Sequence, residues 1–145
     1  MRYLAISFFA LIALRCEASD SIMSALEVTG KRGGSDHYVW QQVDRIVSGA
    51  ARQYRLSPGP TNSNRPAYLL TEKMYYTYYE TRYRTIISVT YRRQVHRPIE
   101  IEILEIQAHQ PSDAHLALLR DLRSGLSKSG LLVKRGETRH GVVTD

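Results

Sequence analysis

Apolar side chains recur along this chain in three different ways, and each predicts a different kind of segment. Over residues 36–55, Val39, Val43, Ile46, Val47, Ala50, Ala51 and Tyr54 fall three or four positions apart. That is the spacing of one helical face. Gln41, Gln42, Asp44, Arg45, Arg52 and Arg55 fill the remainder. Ser35 or Asp36 offers an N-cap, and Pro58, Gly59 and Pro60 close the segment. A second helical stripe, Leu116, Leu119, Leu122 and Leu126, follows Pro111 with Ser112 or Asp113 as its cap. Arg120, Asp121, Arg123 and Lys128 lie outside that stripe, and Gly130 stands just past its end.

The middle of the chain alternates with period two instead. Between Tyr68 and Gln107 there is no Gly, Asn or Asp, and the only Pro is Pro98. Tyr, Thr, Ile and Val dominate, as suits a pleated surface. Three strands are expected, about 73–79, 84–95 and 99–107. The third has Ile99, Ile101 and Ile103 on one face and Glu100 and Glu102 on the other. Its phase shifts at Leu104 and Ile106, which predicts a bulge or a strand end covered on both sides. A hairpin turn near His96 to Pro98 brings Arg92 beside Glu100 on the outer face and aligns Val89 and Tyr91 with the isoleucines.

These elements predict an α+β two-layer sandwich. A three- to four-stranded antiparallel meander, with residues 131–134 as a short fourth edge strand, has an N-terminal and a C-terminal helix packed on one face. The expected single domain spans 36–134. Residues 19–35 mix Ser, Gly and charge and read as a flexible leader, with a short helix or strand possible at 22–28. Residues 135–145 read as a frayed tail.

The third apolar pattern has no period. Residues 3–14 (YLAISFFALIAL) are unbroken, Arg2 precedes them, and Arg15, Cys16 and Ala18 follow. Charge, a short apolar core and small residues in that order make residues 1–18 a secretory signal, too short for a permanent span of roughly 20 residues. Two release routes fit: a lipoprotein-like cut before Cys16, which would then carry a lipid tether, or cleavage after Ala18. Arg15 departs from the small residue that usually precedes a lipidated cysteine. Either route leaves at most one cysteine and so no disulfide. Both phenylalanines, Phe8 and Phe9, go with the signal. The core must therefore rely on Leu, Ile, Val, Trp40 and Tyr. This outline resembles that of small cell-envelope proteins of Gram-negative bacteria, which implies a periplasmic or outer-membrane-anchored location.

Candidate chemistry is thin. His37, His96, His109, His115 and His140 are scattered, with no metal-ligand spacing, so no metal or other cofactor is expected and the histidines read as surface or capping groups. Ser48–Gly49 lacks the elbow that exposes a nucleophilic serine. No Gly-rich loop follows a strand. A hydrolase would have to use Glu100, Glu102 or Glu105 with a histidine, and His109 and His115 flank the start of the second helix near Glu105.

Composition then points to binding. Tyr75, Tyr76, Tyr78, Tyr79, Tyr83 and Tyr91 crowd the strands among Arg82, Arg84, Arg92 and Arg93. Alternation sets Tyr75 and Tyr79 on one face and Tyr76 and Tyr78 on the other. Tyr and Arg are enriched where proteins grip one another, and the opposing reading is tyrosine standing in for phenylalanine. The formal charge of +6 favours an acidic partner. Export argues against nucleic acid. The expectation is a non-catalytic envelope protein, an accessory or an immunity-like inhibitor. It would hold an envelope or secreted protein through Tyr76, Tyr78, Arg84 and Arg92. A hydrolase is the first alternative, and a lipid-tethered spacer bound to acidic envelope polymers the second.

Overall fold

The alternation of isoleucine and glutamate over residues 99–103 builds the middle of the sheet. In the computed structural model, residues 19–31, 35–59, 69–78, 85–94, 96–136 and 138–143 are described. Their order is β1 (Ser19–Thr29), α1 (Asp36–Gln53), β2 (Ser57–Pro58), β3 (Leu69–Tyr78), β4 (Thr85–Gln94), β5 (Ile99–Ile106), α2 (Asp113–Lys128), β6 (Leu132–Arg135) and β7 (Arg139–Val143). The fold is α+β: two helices on an antiparallel sheet, whose strands run in space β2-β3-β4-β5-β1-β6, with β7 also paired to β1. The meander β3-β4-β5 is as expected, but the sheet has more strands than the three or four foreseen.

Residues 19–29 correct the reading of a leader. They form β1, between β5 on one side and β6 and β7 on the other. Ile22, Leu26 and Val28 face the core on alternate positions and are at most 1 % exposed. Ser24 occupies the inward position between them and interrupts an otherwise plain alternation. The tail reading is corrected as well, since Arg139–Val143 pairs with Met23 through Ser19. The Gly136 N–H donates to Ala25 O at 2.9 Å, and a Cβ on Gly136 would meet the Ala25 side chain at 3.1 Å. Glycine thus lets the chain stay against β1 between β6 and β7. Residues 1–18, including Cys16, lie outside the described residues, as do residues 79–84 between β3 and β4.

Both helices pack on one face. Val39, Val43, Val47 and Ala51 of α1 and Leu118, Leu119, Leu122 and Leu126 of α2 join Leu26, Val28, Val89, Tyr91, Ile99, Ile101 and Ile103 in one core. Full burial of each such aliphatic side chain contributes about 1.5–3 kcal/mol. Ser35 caps α1 by accepting from the Tyr38 N–H, and Ser112 caps α2 by accepting from the His115 N–H, each at 3.2 Å. The α2 stripe sits differently from expectation. Leu116 is 46 % exposed, while His115 and Leu118 turn inward. Of the two readings of the phase shift at Leu104 and Ile106, a bulge or a strand end covered on both sides, the bulge does not form. Register with β1 and β4 is regular through Glu105, so Leu104 and Ile106 take the helix-free face and Glu105 turns toward the helices.

Candidate functional site

Two arrangements bear on function: the sheet face that carries no helix, and a buried polar cluster on the opposite face. Register builds the first. One row across it runs Tyr76, Ser88, Leu104, Met23 and Arg139, and another runs Glu72, Arg92, Glu100, Glu27 and Lys134. Among the described residues no helix covers this face. Met23, Met74, Tyr76, Leu104 and Ile106 are half-buried there.

The expected contact residues distribute unevenly over it. Tyr76 lies on the helix-free face, paired across to Ser88. Tyr78 lies in β3 opposite Thr85, past a register irregularity. Arg84 lies outside the described residues. Arg92 is on the face, but its guanidinium is engaged. Its Nε donates to Glu100 Oε2 at 2.9 Å, and its Nη2 donates to Glu102. The pairing with Glu100 is the one the hairpin register predicts. With Glu27 and Glu72 in the same row, the described part of this face carries four glutamates beside Arg92, Lys134 and Arg139. Of the cations away from this face, Arg120 and Arg123 lie on α2 and Arg135 at the edge of β6.

Part of the tyrosine crowd belongs to the core. Tyr91 is fully buried, with its ring 5.4 Å from Trp40 and stacked at 6.4 Å on Tyr75. Its hydroxyl donates to Asp44 Oδ1 at 2.7 Å, which Lys73 Nζ also reaches at 2.6 Å. Burial, reinforced by the Asp44 carboxylate, pushes the Tyr91 phenol well up. For Asp44, burial pushes the carboxyl up, but the hydrogen bonds from Lys73 and Tyr91 and the lysine charge together hold it below the usual range. Tyr54 ties the two helices together by donating to Asp121 Oδ2 at 2.6 Å. Burial and that carboxylate raise its pKa to about 12. These tyrosines do what phenylalanine cannot, because each fills core and reaches a carboxylate at the rim.

The second arrangement corrects the reading of His115 as a surface or capping histidine. It is fully buried, under α2 and against β1 and β5. Its Nε2 lies 2.8 Å from Ser24 Oγ, and its Nδ1 lies 3.3 Å from Glu105 Oε2, near enough to feel that charge but outside hydrogen-bond geometry. Glu105 Oε2 also accepts the Ser112 N–H at 3.0 Å. Burial lowers the His115 pKa, and the Glu105 carboxylate only partly offsets this. The ring is therefore neutral. With Nδ1–H turned toward Glu105, Nε2 accepts from the Ser24 hydroxyl. His109 goes elsewhere, to Asp20 at 2.6 Å on the surface.

Serine, imidazole and carboxylate thus stand in the order used for acyl transfer. Access is what they lack. Ser24 is 2 % exposed and Glu105 is 5 % exposed, so α2 and the sheet enclose the cluster. Sequence reasoning placed Glu105 near His115 but missed Ser24, whose only signal was a polar residue at an inward strand position. Among the described residues no group of three or more His, Cys, Asp or Glu is placed to hold a metal ion. Among them, too, no helix is long and apolar enough to cross a membrane. No protein-family model matches this chain, and no curated protein sequence matches it either.

Proposed function

We propose that this chain is a small exported envelope protein, periplasmic or tethered through Cys16, that binds another protein and is not a catalyst. In this reading it is an accessory of an envelope complex or an immunity-like inhibitor. Export rests on the order of charge, apolar run and small residues over 1–18. The observation that carries binding is a sheet that, among the described residues, is covered by helices on one side only. Its other side presents Met23, Met74, Tyr76, Leu104 and Ile106 beside a row of charges. A half-covered antiparallel sheet can face water, but a row of this apolar content fits a surface that meets a partner. Tyr76, Tyr78, Arg84 and Arg92 remain the proposed contacts. Of these, Arg92 would contribute through a fixed ion-pair cluster rather than as a free cation.

The test is capture from envelope extracts with wild type and with Tyr76→Ala/Tyr78→Ala. Loss of captured proteins is the expected result, and an unchanged set would remove this face from the proposal. Mass spectrometry of the mature N-terminus decides between a lipidated Cys16 and cleavage after Ala18.

A hydrolase is the second reading, because Ser24, His115 and Glu105 stand together. Against it, a substrate carbonyl reaches Ser24 Oγ only if α2 lifts from β1. Turnover of p-nitrophenyl esters that disappears in Ser24→Ala and His115→Gln, with the fold intact, would reverse the ranking.

A further inference from the structure

We propose that the outer edge of β6, with the arginine-lined groove beside α2, takes an extended acidic peptide segment of the partner protein as an added strand. This rests on the protein-binding reading and names a site and a partner chemistry for it. The groove has a volume of about 370 Å3 and is lined by Leu116 and Leu119, by Arg120, Arg123 and Arg135, and by Ser124 and Ser127. Among the described residues no carboxylate lines it. Arg120 Nε is 3.4 Å from Asp121 Oδ1, a long contact to a carboxylate whose other oxygen already accepts from Tyr54. Among the described residues, Arg123 and Arg135 meet no carboxylate within 4.0 Å. Glu137 lies outside them. Three arginines beside two leucines are complemented by an anionic occupant that also carries apolar side chains.

The adjoining edge supplies the backbone half of the site. On one side β6 pairs with β1, and among the described residues nothing pairs with the other. The bond from Gly136 N–H to Ala25 O sets the phase of the ladder. Leu132 and Lys134 therefore bond to β1, while Val133 and Arg135 turn their N–H and C=O groups outward. An added strand satisfies such groups, and pockets for its alternate side chains give specificity. Arg135, level with the core residue Leu26, is on the helix side. Leu132, level with Thr29, is on the opposite side. One side of the incoming strand would meet the arginines and the other Leu132.

Leu116 at 46 % and Leu132 at 54 % are two of the three large apolar side chains exposed among the described residues, and they flank this edge. Lys134 and Arg135 guard it against pairing with a second copy, since like cations would face each other. The same cations favour an acidic strand. That choice distinguishes the partner from a copy of this chain.

The test uses the full chain and a fluorescein-labelled peptide of about ten alternating Glu and Val residues, long enough to form a strand of ordinary length. A Lys/Val peptide and phosphatidylglycerol vesicles serve as the other arms. The expected results are binding of the Glu/Val peptide only, and weakening by about tenfold or more in Arg123→Glu/Arg135→Glu, with thermal unfolding unchanged. Amide exchange at Val133 and Arg135 should slow on binding, while Leu132 and Lys134 stay as they were. Arg123→Gln/Arg135→Gln replaces the reversal if that variant does not fold. Peptide binding indifferent to the arginines, unaltered exchange at Val133 and Arg135, or capture by vesicles without peptide binding would each overturn the assignment. Loss of captured proteins in Tyr76→Ala/Tyr78→Ala with no peptide binding leaves the protein-binding reading standing and removes only this edge. Peptide binding at the arginines with no effect of the tyrosine variants does the reverse for the sheet face.

Discussion

His115 Nε2 lies 2.8 Å from Ser24 Oγ, a bond between residues 91 positions apart that fastens α2 to β1, a strand paired on both sides. Glu105 completes the cluster from β5 and at the same time accepts the N–H of the α2 cap residue Ser112. One buried polar group thus holds the start of α2 against two strands. Because the ring is fully enclosed, its protonation state is linked to folding.

Stability should fall as the pH drops below about 6.5. Burial holds the His115 pKa beneath its ordinary value of 6.5. The unfolded chain takes up a proton near 6.5, while the folded chain does so only at lower pH. This contribution is therefore complete above the unfolded pKa and is lost as pH falls toward the folded one, by at most about 1.4 kcal/mol per pH unit. Urea unfolding from pH 7.5 downward should show a steeper loss in wild type than in His115→Gln. Equal slopes would show that His115 is not the group responsible.

Removing the serine partner should cost more than one ordinary hydrogen bond. Ser24→Ala leaves a ring nitrogen buried without a partner, at a cost of about 1–3 kcal/mol. In Ser24→Ala/His115→Leu that orphan no longer exists, so the double variant should lose less than the sum of the single losses. Denaturant midpoints of the four proteins give the coupling, and strict additivity would mean that the two residues do not act as a unit.

The same cluster explains where the sequence could be read and where it could not. The helices and the meander were legible because Val39, Val43 and Val47, or Ile99, Ile101 and Ile103, keep one period without interruption. Ser24 breaks the period in β1, His115 breaks it in α2, and Glu105 breaks it in β5. Each looks like a surface residue in its own segment, and only their convergence satisfies all three. So β1 reads as a leader, Leu116 takes in the sequence a place that Leu118 fills, and the phase shift at Leu104 reads as a bulge or a doubly covered strand end where β5 runs on regularly. The site suffered differently. Alternation placed Tyr76 correctly, but nothing local indicated that Arg92 would be held by both Glu100 and Glu102. Nor did the overall charge of +6 reveal that the helix-free face carries an acidic row.

Arg92 should therefore matter more for holding that row together than for attracting an acidic partner. Arg92→Ala leaves Glu100 and Glu102 on one face of β5 with Glu27 in register beside Glu100. The Arg92, Glu100 and Glu102 side chains are between 26 % and 38 % exposed, so solvent screens much of the effect. A loss of about 1 kcal/mol is expected, shrinking as salt rises, because repulsion between partly exposed like charges is screened. Arg92→Lys keeps the charge but not the two-pronged grip and should fall between. Unfolding at low and at about 1 M salt checks this, and a loss that does not respond to salt would point to packing instead.

The contact between Tyr91 and Asp44 makes the last prediction, because it separates a buried hydroxyl from an exposed cation on the same carboxylate. Asp44 Oδ1 accepts from Tyr91 at 2.7 Å and from Lys73 at 2.6 Å. The Tyr91 side chain is enclosed by Trp40 and Tyr75, whereas Lys73 is 44 % exposed. Tyr91→Phe keeps the ring packing and removes only a charge-assisted bond, at a cost of about 1.5–3 kcal/mol. Lys73→Met removes a surface ion pair worth about 0–1 kcal/mol. In both variants the Asp44 carboxyl loses a group that holds its pKa down, so it should titrate at higher pH by carbonyl-detected NMR. The acid limb of the stability curve should then become shallower, since the folded carboxyl resists protonation less strongly than in the wild type. If Lys73→Met proves the more damaging, the lysine and not the tyrosine anchors α1 to the sheet at this point.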